Sequence, residues 1–478
     1  MKRYFLVVSL MCFALFAESL YENPEQGLII EKQGKRLYDS SLNFDKRVNT
    51  AMQKPLNDIF IPVLKPDSTI KDVLDVYDDT EGVLSLKELL DKAKDNYTLQ
   101  AKDIAIRSAE ATRSSVYGSY LPSLDVGYSF NSTKRNTTSW QPSMNNHSAK
   151  ASLNWVLFDG AAREFSLLSN NALVRAAIAD KGYSQETLFL QVISAYYDYF
   201  TLKGQIIAME QKKVNIAANV ARIQVLYEAG LETIDAIEAL KAELSLTEYQ
   251  LESLRLNFEQ IKLQLSLYTN TDVNKLKLAS IANPQYKTIQ SLNITMQEEQ
   301  AQSVEHQIGT LTYWPTISLF DTFTWNFKMD NISSNPLASF SYPKEQNVFG
   351  VSVTWNIFSG FSTNRQKESL RLQNLMLQKG IEYAKIEQEN NIKFYKKSIE
   401  AALSQIRSAE ASLKSASISF ESISQKYNAQ LINYNDYLDS LSAKYNAEAT
   451  YIQSLNNYEL QKANYIFYSG QTLSDYVN

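Results

Sequence analysis

Two periodicities divide this chain. In four short segments apolar and small polar residues alternate one by one. Phe349, Val351, Val353, Trp355 and Ile357 share one face, with Gly350, Ser352, Thr354 and Asn356 on the other. Ala151, Leu153, Trp155 and Leu157 form a second apolar set, and Leu124, Val126, Tyr128 and Phe130 a third. Ile317, Leu319, Phe323, Trp325 and Phe327 form a fourth, in which Phe320 and Asp321 fall out of step. Alternation at period two predicts strands with one apolar face, and the misfit at 320–321 predicts a bulge. The same alternation would serve a soluble sandwich. Strands of this length with aromatic ends also fit a transmembrane barrel.

Elsewhere the period is seven. Ile392, Ile399, Ile406, Leu413, Phe420 and Tyr427 recur at that spacing, each of the first five followed three residues later by Tyr395, Ala402, Ala409, Ala416 or Ile423. Val192, Tyr199, Ile206, Val220 and Tyr227 do the same, partnered by Ala195, Leu202, Met209, Ile216 and Ile223 and interrupted at Lys213. No proline falls in 161–227 or 361–427. Each run therefore predicts one helix, roughly 100 Å long at about 1.5 Å per residue. A sustained seven-residue seam with alanines in it specifies close coiled-coil packing. Return helices are predicted over 232–268 and 434–468, and leading helices over 84–117 and 283–311.

These patterns come in the same order twice. "SLNWVLFDG" (152–160) faces "SVTWNIFSG" (352–360), "YLPSL" (120–124) faces "YWPTI" (313–317), and "YEAGLETID" (227–235) faces "YNAQLINYND" (427–436). An internal repeat follows. The first copy is assigned to 83–270, with its hairpin at 120–158, and the second to 283–470, with its hairpin at 313–358. A tail covers 471–478.

The start of the chain changes the picture. "MKRYFLVVSLMCFALFA" has a basic start and an apolar core too short for a membrane span, which predicts a secretory leader over 1–17. Residues 18–82 are then a periplasmic extension carrying Pro24, Pro55, Pro62 and Pro66. Cys12, the only cysteine, lies in the leader, so disulfides and cysteine-based metal sites are not expected. No later apolar run is long enough to span a bilayer as a helix, so any membrane role falls to the strands. The net charge of −5 and the lack of a basic block argue against nucleic acid as a partner. There are two histidines, His147 and His306, and no nucleophile elbow, phosphate loop or metal-spaced cluster. Catalysis and cofactors are not expected.

Four strands in a membrane leave two unpaired edges that lipid cannot satisfy, so several copies must close the sheet. Spacing alone leaves two, three or four copies open. The two "W-x-[LI]-F-x-G" strand ends, the "YLPSL" and "YWPTI" strand starts, the tips and the closing "NNYELQKANYIFYSG" resemble the TolC family of outer-membrane efflux channels. The resemblance covers nearly all of 84–470 and is strongest to drug-efflux members from Campylobacter and Helicobacter. It implies an α+β membrane protein: a homotrimer whose 12-stranded barrel, four strands per chain, sits in outer-membrane lipid and continues as a coiled-coil tunnel through the periplasm. It implies a passive exit duct for drugs, served by a periplasmic adaptor and an inner-membrane exporter, more readily a proton-driven one. The alternative cargo is protein, in type I secretion. A purely structural periplasmic coiled coil is a further alternative, which leaves the amphipathic strands unexplained.

The resemblance also carries residues. Asp436 and Asp439 fall on the family's two rings of pore-gating aspartates. Being three residues apart, they share a helix face. Tyr427 falls on a latch tyrosine, and Asp235 (with Ala236 as the alternative register) on its aspartate partner, with a hydrogen bond expected between the two. The family's latch arginine falls on Ile432. The lipid face is assigned to Trp155, Leu157, Val353, Trp355 and Ile357.

Overall fold

The computed structural model describes residues 83–134, 144–331, 343–429 and 431–477. The predicted leader, Cys12 and the extension 18–82 lie outside the described residues.

The chain begins with β1 (Val83–Leu84), α1 (Leu86–Ala93) and α2 (Tyr97–Gly118). The hairpin β2 (Ser123–Thr133) and β3 (Met144–Phe158) follows, then α3 (Ala162–Glu228) and α4 (Ile234–Thr269). After β4 (Lys275–Leu276) comes the second half: α5 (Leu292–Thr310), β5 (Thr316–Asn331), β6 (Glu345–Thr354), α6 (Ser362–Asn428) and α7 (Tyr434–Tyr468). Apart from the added β1 and α1, the halves share one element order. Each long helix has 67 residues and leaves its strand through a positive-φ pair, Gly160–Ala161 or Gly360–Phe361.

Two leading helices differ from expectation. The one predicted over 84–117 is broken at Asn96, which caps α2 by accepting from the Thr98 N–H at 2.8 Å. The one predicted from 283 starts at Leu292, because Ser291 caps it and Pro284 keeps the preceding segment extended. These caps have a larger purpose. Asn96 Nδ2 donates to the last carbonyls of α4, Leu267 and Tyr268, both at 3.0 Å. Gln388 on α6 donates to Ile289 O at 2.8 Å and Tyr468 O at 3.2 Å, and accepts from Ser291 N–H at 3.3 Å. The polar side chains thus join α4 end-on to α2, and α7 end-on to α5.

Four rods result. The long α3 packs against α2 and α4 on one side and against α5 and α7 on the other, while α6 packs on α5 and α7. The seven-residue seams form the joints. Ile399, Ala402, Ile406 and Ala409 on α6 are buried against Tyr451, Tyr458 and Tyr465 on α7, themselves seven apart. On α3 the buried line near the tip is Ile216 and Ile223, while Tyr227 turns out to solvent. Lys213, which interrupts the other line, pairs with Glu248 at 3.0 Å.

The main core lies midway, where Phe189, Val192, Tyr196, Tyr197 and Phe200 of α3 meet α1, the linker at 273–281 and the C-terminal turn Leu473–Tyr476. Lys462, almost fully buried, binds Glu459 at 2.9 Å and donates to Ile281 O, while Glu459 accepts the Ile281 N–H at 2.7 Å. A buried pair of this kind holds only with its remaining hydrogen bonds made, and here the linker backbone makes them. Glu186 accepts the Leu473 N–H at 2.9 Å. Burial pushes its carboxyl up to about 7, with that hydrogen bond opposing and Asp475 adding to the rise.

The sheet is antiparallel in the order β2-β3-β5-β6. Leu124, Leu153, Asp321 and Phe349 stand opposite one another across it, as do Val126, Ala151, Phe323 and Asn347. The expected bulge at Phe320–Asp321 is absent. The β5–β6 register runs unbroken there, and the shifts lie between His147 and Ser148 and between Val156 and Phe158. Phe320 faces the polar side, its ring lying where a side chain on Gly350 would go, and Asp321 sits on the apolar face.

Candidate functional site: the helical tip and the sheet

The turn from α6 to α7 brings the tip residues together. Asn433 accepts the Asp436 N–H at 2.9 Å and so starts α7, which places Asp436 in its first turn and Asp439 one turn on. Both aspartates are exposed, on one face. Carboxylates in the first turn also suit the helix dipole.

Tyr427, at the end of α6, is only 4% exposed. Its ring stacks on Tyr437 at 4.6 Å between centroids, and the Arg222 guanidinium of α3 lies over it at 4.5 Å. Burial raises its phenol above the ordinary value, with Arg222 opposing. The expected hydrogen bond to Asp235 is not formed. Asp235 is exposed in the first turn of α4, whereas the hydroxyl of Tyr427 is buried without a hydrogen-bond partner among the described residues. Ala236, the alternative register, is buried in the tip core, and Ile432 packs against that core.

A different set of residues joins the halves at the tip. Asn219 Nδ2 donates to the Tyr437 hydroxyl at 2.7 Å, Asn215 Nδ2 donates to that of Tyr445, and Arg222 Nη1 donates to Asn428 Oδ1 at 2.6 Å. The donors are spaced 215, 219, 222 on one face of α3, and the acceptors lie on α6 and α7. Burial pushes the Tyr445 phenol up to about 12, with Glu448 adding and Asn215 opposing. Sequence reading missed these three residues. The signal was present: polar side chains at i, i+4 and i+7 in a stretch otherwise rich in Ala, Ile and Val.

At the other end the sheet exposes its apolar face. Val353 is 64% exposed, and Trp355, Ile357 and Leu157 are also exposed. Strand β6 stops at Thr354, so Trp355 and Ile357 lie past its last pair. Trp155 is half-buried. The two tryptophans are held alike: Trp155 Nε1 donates to Tyr120 O at 2.8 Å, and Trp355 Nε1 to Tyr313 O at 2.9 Å. No helix among the described residues is long and apolar enough to cross a membrane, and none of their His, Cys, Asp and Glu side chains form a metal-binding group.

The described residues thus combine a layer of long coiled helices with an amphipathic sheet and an acidic helical tip. Residues 89–271 match the outer membrane efflux protein family. The chain is similar in fold to the CmeC outer membrane channel of Campylobacter jejuni, with a TM-score of 0.69 at 16% identity over 80% of this chain and 85% of that one. It is similar to the outer membrane protein VceC of Vibrio cholerae, with 0.67 at 14% identity over 81% and 96%. A third likeness is to the open state of the MtrE outer membrane channel of Neisseria gonorrhoeae, with 0.65 at 14% over 81% and 89%. At these identities the likeness is one of fold. No curated protein sequence matches the chain significantly.

Proposed function

We propose that this protein is the outer-membrane duct of a tripartite efflux system. Three copies close a 12-stranded barrel in the outer membrane and a helical tunnel through the periplasm, and small molecules leave passively through them. A periplasmic adaptor and an inner-membrane exporter, more readily a proton-driven one, supply cargo and energy. The leader at 1–17 directs export, and 18–82 form a periplasmic extension.

The observation that carries this reading is one-sided completeness. In the first half the corner at Gly160 is covered, since a side chain there would meet Thr312 Oγ1 at 2.5 Å and Trp314 Cβ at 2.6 Å. The matching corner at Gly360 has nothing within 4 Å. Strand β3 is paired on both sides, whereas β6 is an edge. Helix α3 is flanked on both sides, whereas α6 exposes Leu372, Met376, Tyr383, Ile386 and Phe394. On the second half, edge, corner and flank are all open. The matching surface on the first half, the β2 edge with Leu121 and the exposed Tyr97 and Ile104 of α2, is bare as well. The second half of one copy therefore fits the first half of the next, and a head-to-tail contact that closes makes a ring. Lipid on the apolar face and water on the polar face follow from the alternation. Two of the structures similar in fold, CmeC and MtrE, are described as outer membrane channels, which supports the same reading.

Asp436 and Asp439 form the gate in this account, three carboxylates at each level. The tip is held shut by Tyr427 with Arg222, Asn219 and Asn215, and Asp235 is left to contacts between copies or with the adaptor. The test is conductance of purified protein in a planar bilayer. Asp436→Asn with Asp439→Asn should weaken cation selectivity and abolish block by trivalent cations added on the tip side, because acidic rings focus cations. A protein that never conducts overturns the channel. Unchanged selectivity and block overturn the gate.

A further inference from the structure

The exposed residues of α7 fall on a single stripe. After Asn435 they are Asp436, Asp439, Ala443, Asn446, Thr450 and Gln453. Steps of three and four at about 100° per residue keep them within one arc of roughly 100°. The remaining faces are closed. Tyr437, Leu441, Tyr445 and Ile452 are buried between the neighbouring rods, and on the back Lys444 and Glu448 keep only 23% and 15% of their side chains exposed, 3.6 Å apart.

The stripe differs chemically from the exposed faces of the other tip-reaching helices α4 and α6. On α4 these faces carry ion pairs one turn apart, Glu238 with Lys241, Glu252 with Arg255, and Glu259 with Lys262. On α6 Lys379 pairs with Glu382, Lys393 with Glu389, and Lys397 with Glu400. Such pairs are what an outer, water-washed helix face carries. Beyond Asp439 the α7 stripe has no charge through Gln453, only amide, hydroxyl and methyl groups.

We propose that this stripe is the cargo-facing wall of the lower tunnel, an uncharged hydrogen-bonding track above the two acidic levels, matched to amphiphilic organic cations and not to polyanions. The inference rests on the channel reading above. The acidic levels concentrate cations at the entrance. Amide and hydroxyl groups then replace part of a cargo's hydration without offering a counter-charge. Binding beyond the gate is therefore weak and spread over several levels, which is what passage rather than capture requires. A polyanion meets repulsion at the tip and no cation to compensate it on the stripe.

The test places single cysteines at Asn446, Thr450 and Gln453, and at Asp436 and Lys444 for comparison, in a Cys12→Ser background. A cationic, membrane-impermeant thiosulfonate is added only to the chamber facing the barrel mouth while conductance is recorded. The three stripe positions and Asp436→Cys should each lose conductance in discrete steps, and Lys444→Cys should not respond. Block at Asp436→Cys with none at the three stripe positions overturns the track and leaves the channel standing. A parent protein that does not conduct overturns the channel reading and the track with it. As a second arm, Asn446→Asp with Gln453→Asp should create a charged trap. Block by tetraethylammonium should then last severalfold longer, and unchanged dwell times contradict the track.

Discussion

The two halves share their order of elements but differ in how their flanks are finished. Where α2 meets α3, charged pairs lock the joint: Lys102 with Asp180 and Lys181 with Asp103, both at 2.6 Å. Where α5 meets α6, an apolar seam of Ile294, Ala301, Ile381 and Ala384 is flanked by a single pair, Lys385 with Glu298 at 2.6 Å. The β-to-α corners differ in the same way. Arg163 clasps Asp159 at 2.9 Å, the Val156 carbonyl at 2.9 Å and the Tyr120 ring at 4.6 Å, while the second corner has Ser359 bonded to Thr363 at 3.0 Å. Each half is bare on its outer flank, but only the first half also closes its strand-to-helix corner. The difference shows that equal elements need not be equally satisfied within one chain, and the proposed ring places another copy on the unsatisfied side.

That comparison can be broken at several points. The largest effect is expected at Gly160. Gly160→Val should prevent folding of the chain, because the added side chain meets Thr312 and Trp314 and φ is +71°. Gly360→Val, at φ +61° but in open space, carries the backbone strain without the clash, so the chain should still fold, less stably, and lose its assembly, read as loss of oligomer with retained helical circular dichroism. Equal damage from both would contradict the asymmetry. Next, Val353→Lys puts a cation on the apolar face, at a cost of roughly 2–4 kcal/mol near mid-bilayer. Yield of assembled barrel should fall, while Ser352→Lys on the polar face should assemble normally. On the same face Asp321→Leu should do the reverse and raise barrel stability. The tip offers a smaller effect: Arg222→Ala with Asn219→Ala removes hydrogen bonds worth about 1–3 kcal/mol each, and should raise single-channel conductance while Asp235→Ala alone does not.

The smallest effect concerns Glu186. Its carboxyl is held near 7 by burial, above the ordinary 4.5. The folded state therefore binds the proton more tightly, and the stabilisation is complete below about 4.5 and lost as pH rises through about 7. Glu186→Gln should flatten stability across that window, measured by thermal unfolding at several pH values.

Much of this was legible in the sequence. Single-step alternation and the seven-residue seams gave the four strands and both long helices to within a few residues, because burial on one face fixes the period. The break at Asn96 was not legible, since the cap is used to join α2 to the end of α4, a contact across more than 170 positions. Phe320 was read as a bulge because a ring on a polar face looks out of step. Gly350 on the facing strand makes room for it. Asp436 and Asp439 were named by the resemblance at the tip, whereas Arg222, Asn219 and Asn215 were missed, because their polar i, i+4, i+7 spacing does not by itself point to partners about 200 residues away.

The central claim is that the bare flank of the second half of one copy packs on the bare flank of the first half of the next. The most direct measurement is the native mass of the detergent-extracted particle from an outer-membrane preparation. The account predicts three chains per particle, reduced to one by Gly360→Val. A particle of one chain in the parent protein would contradict it.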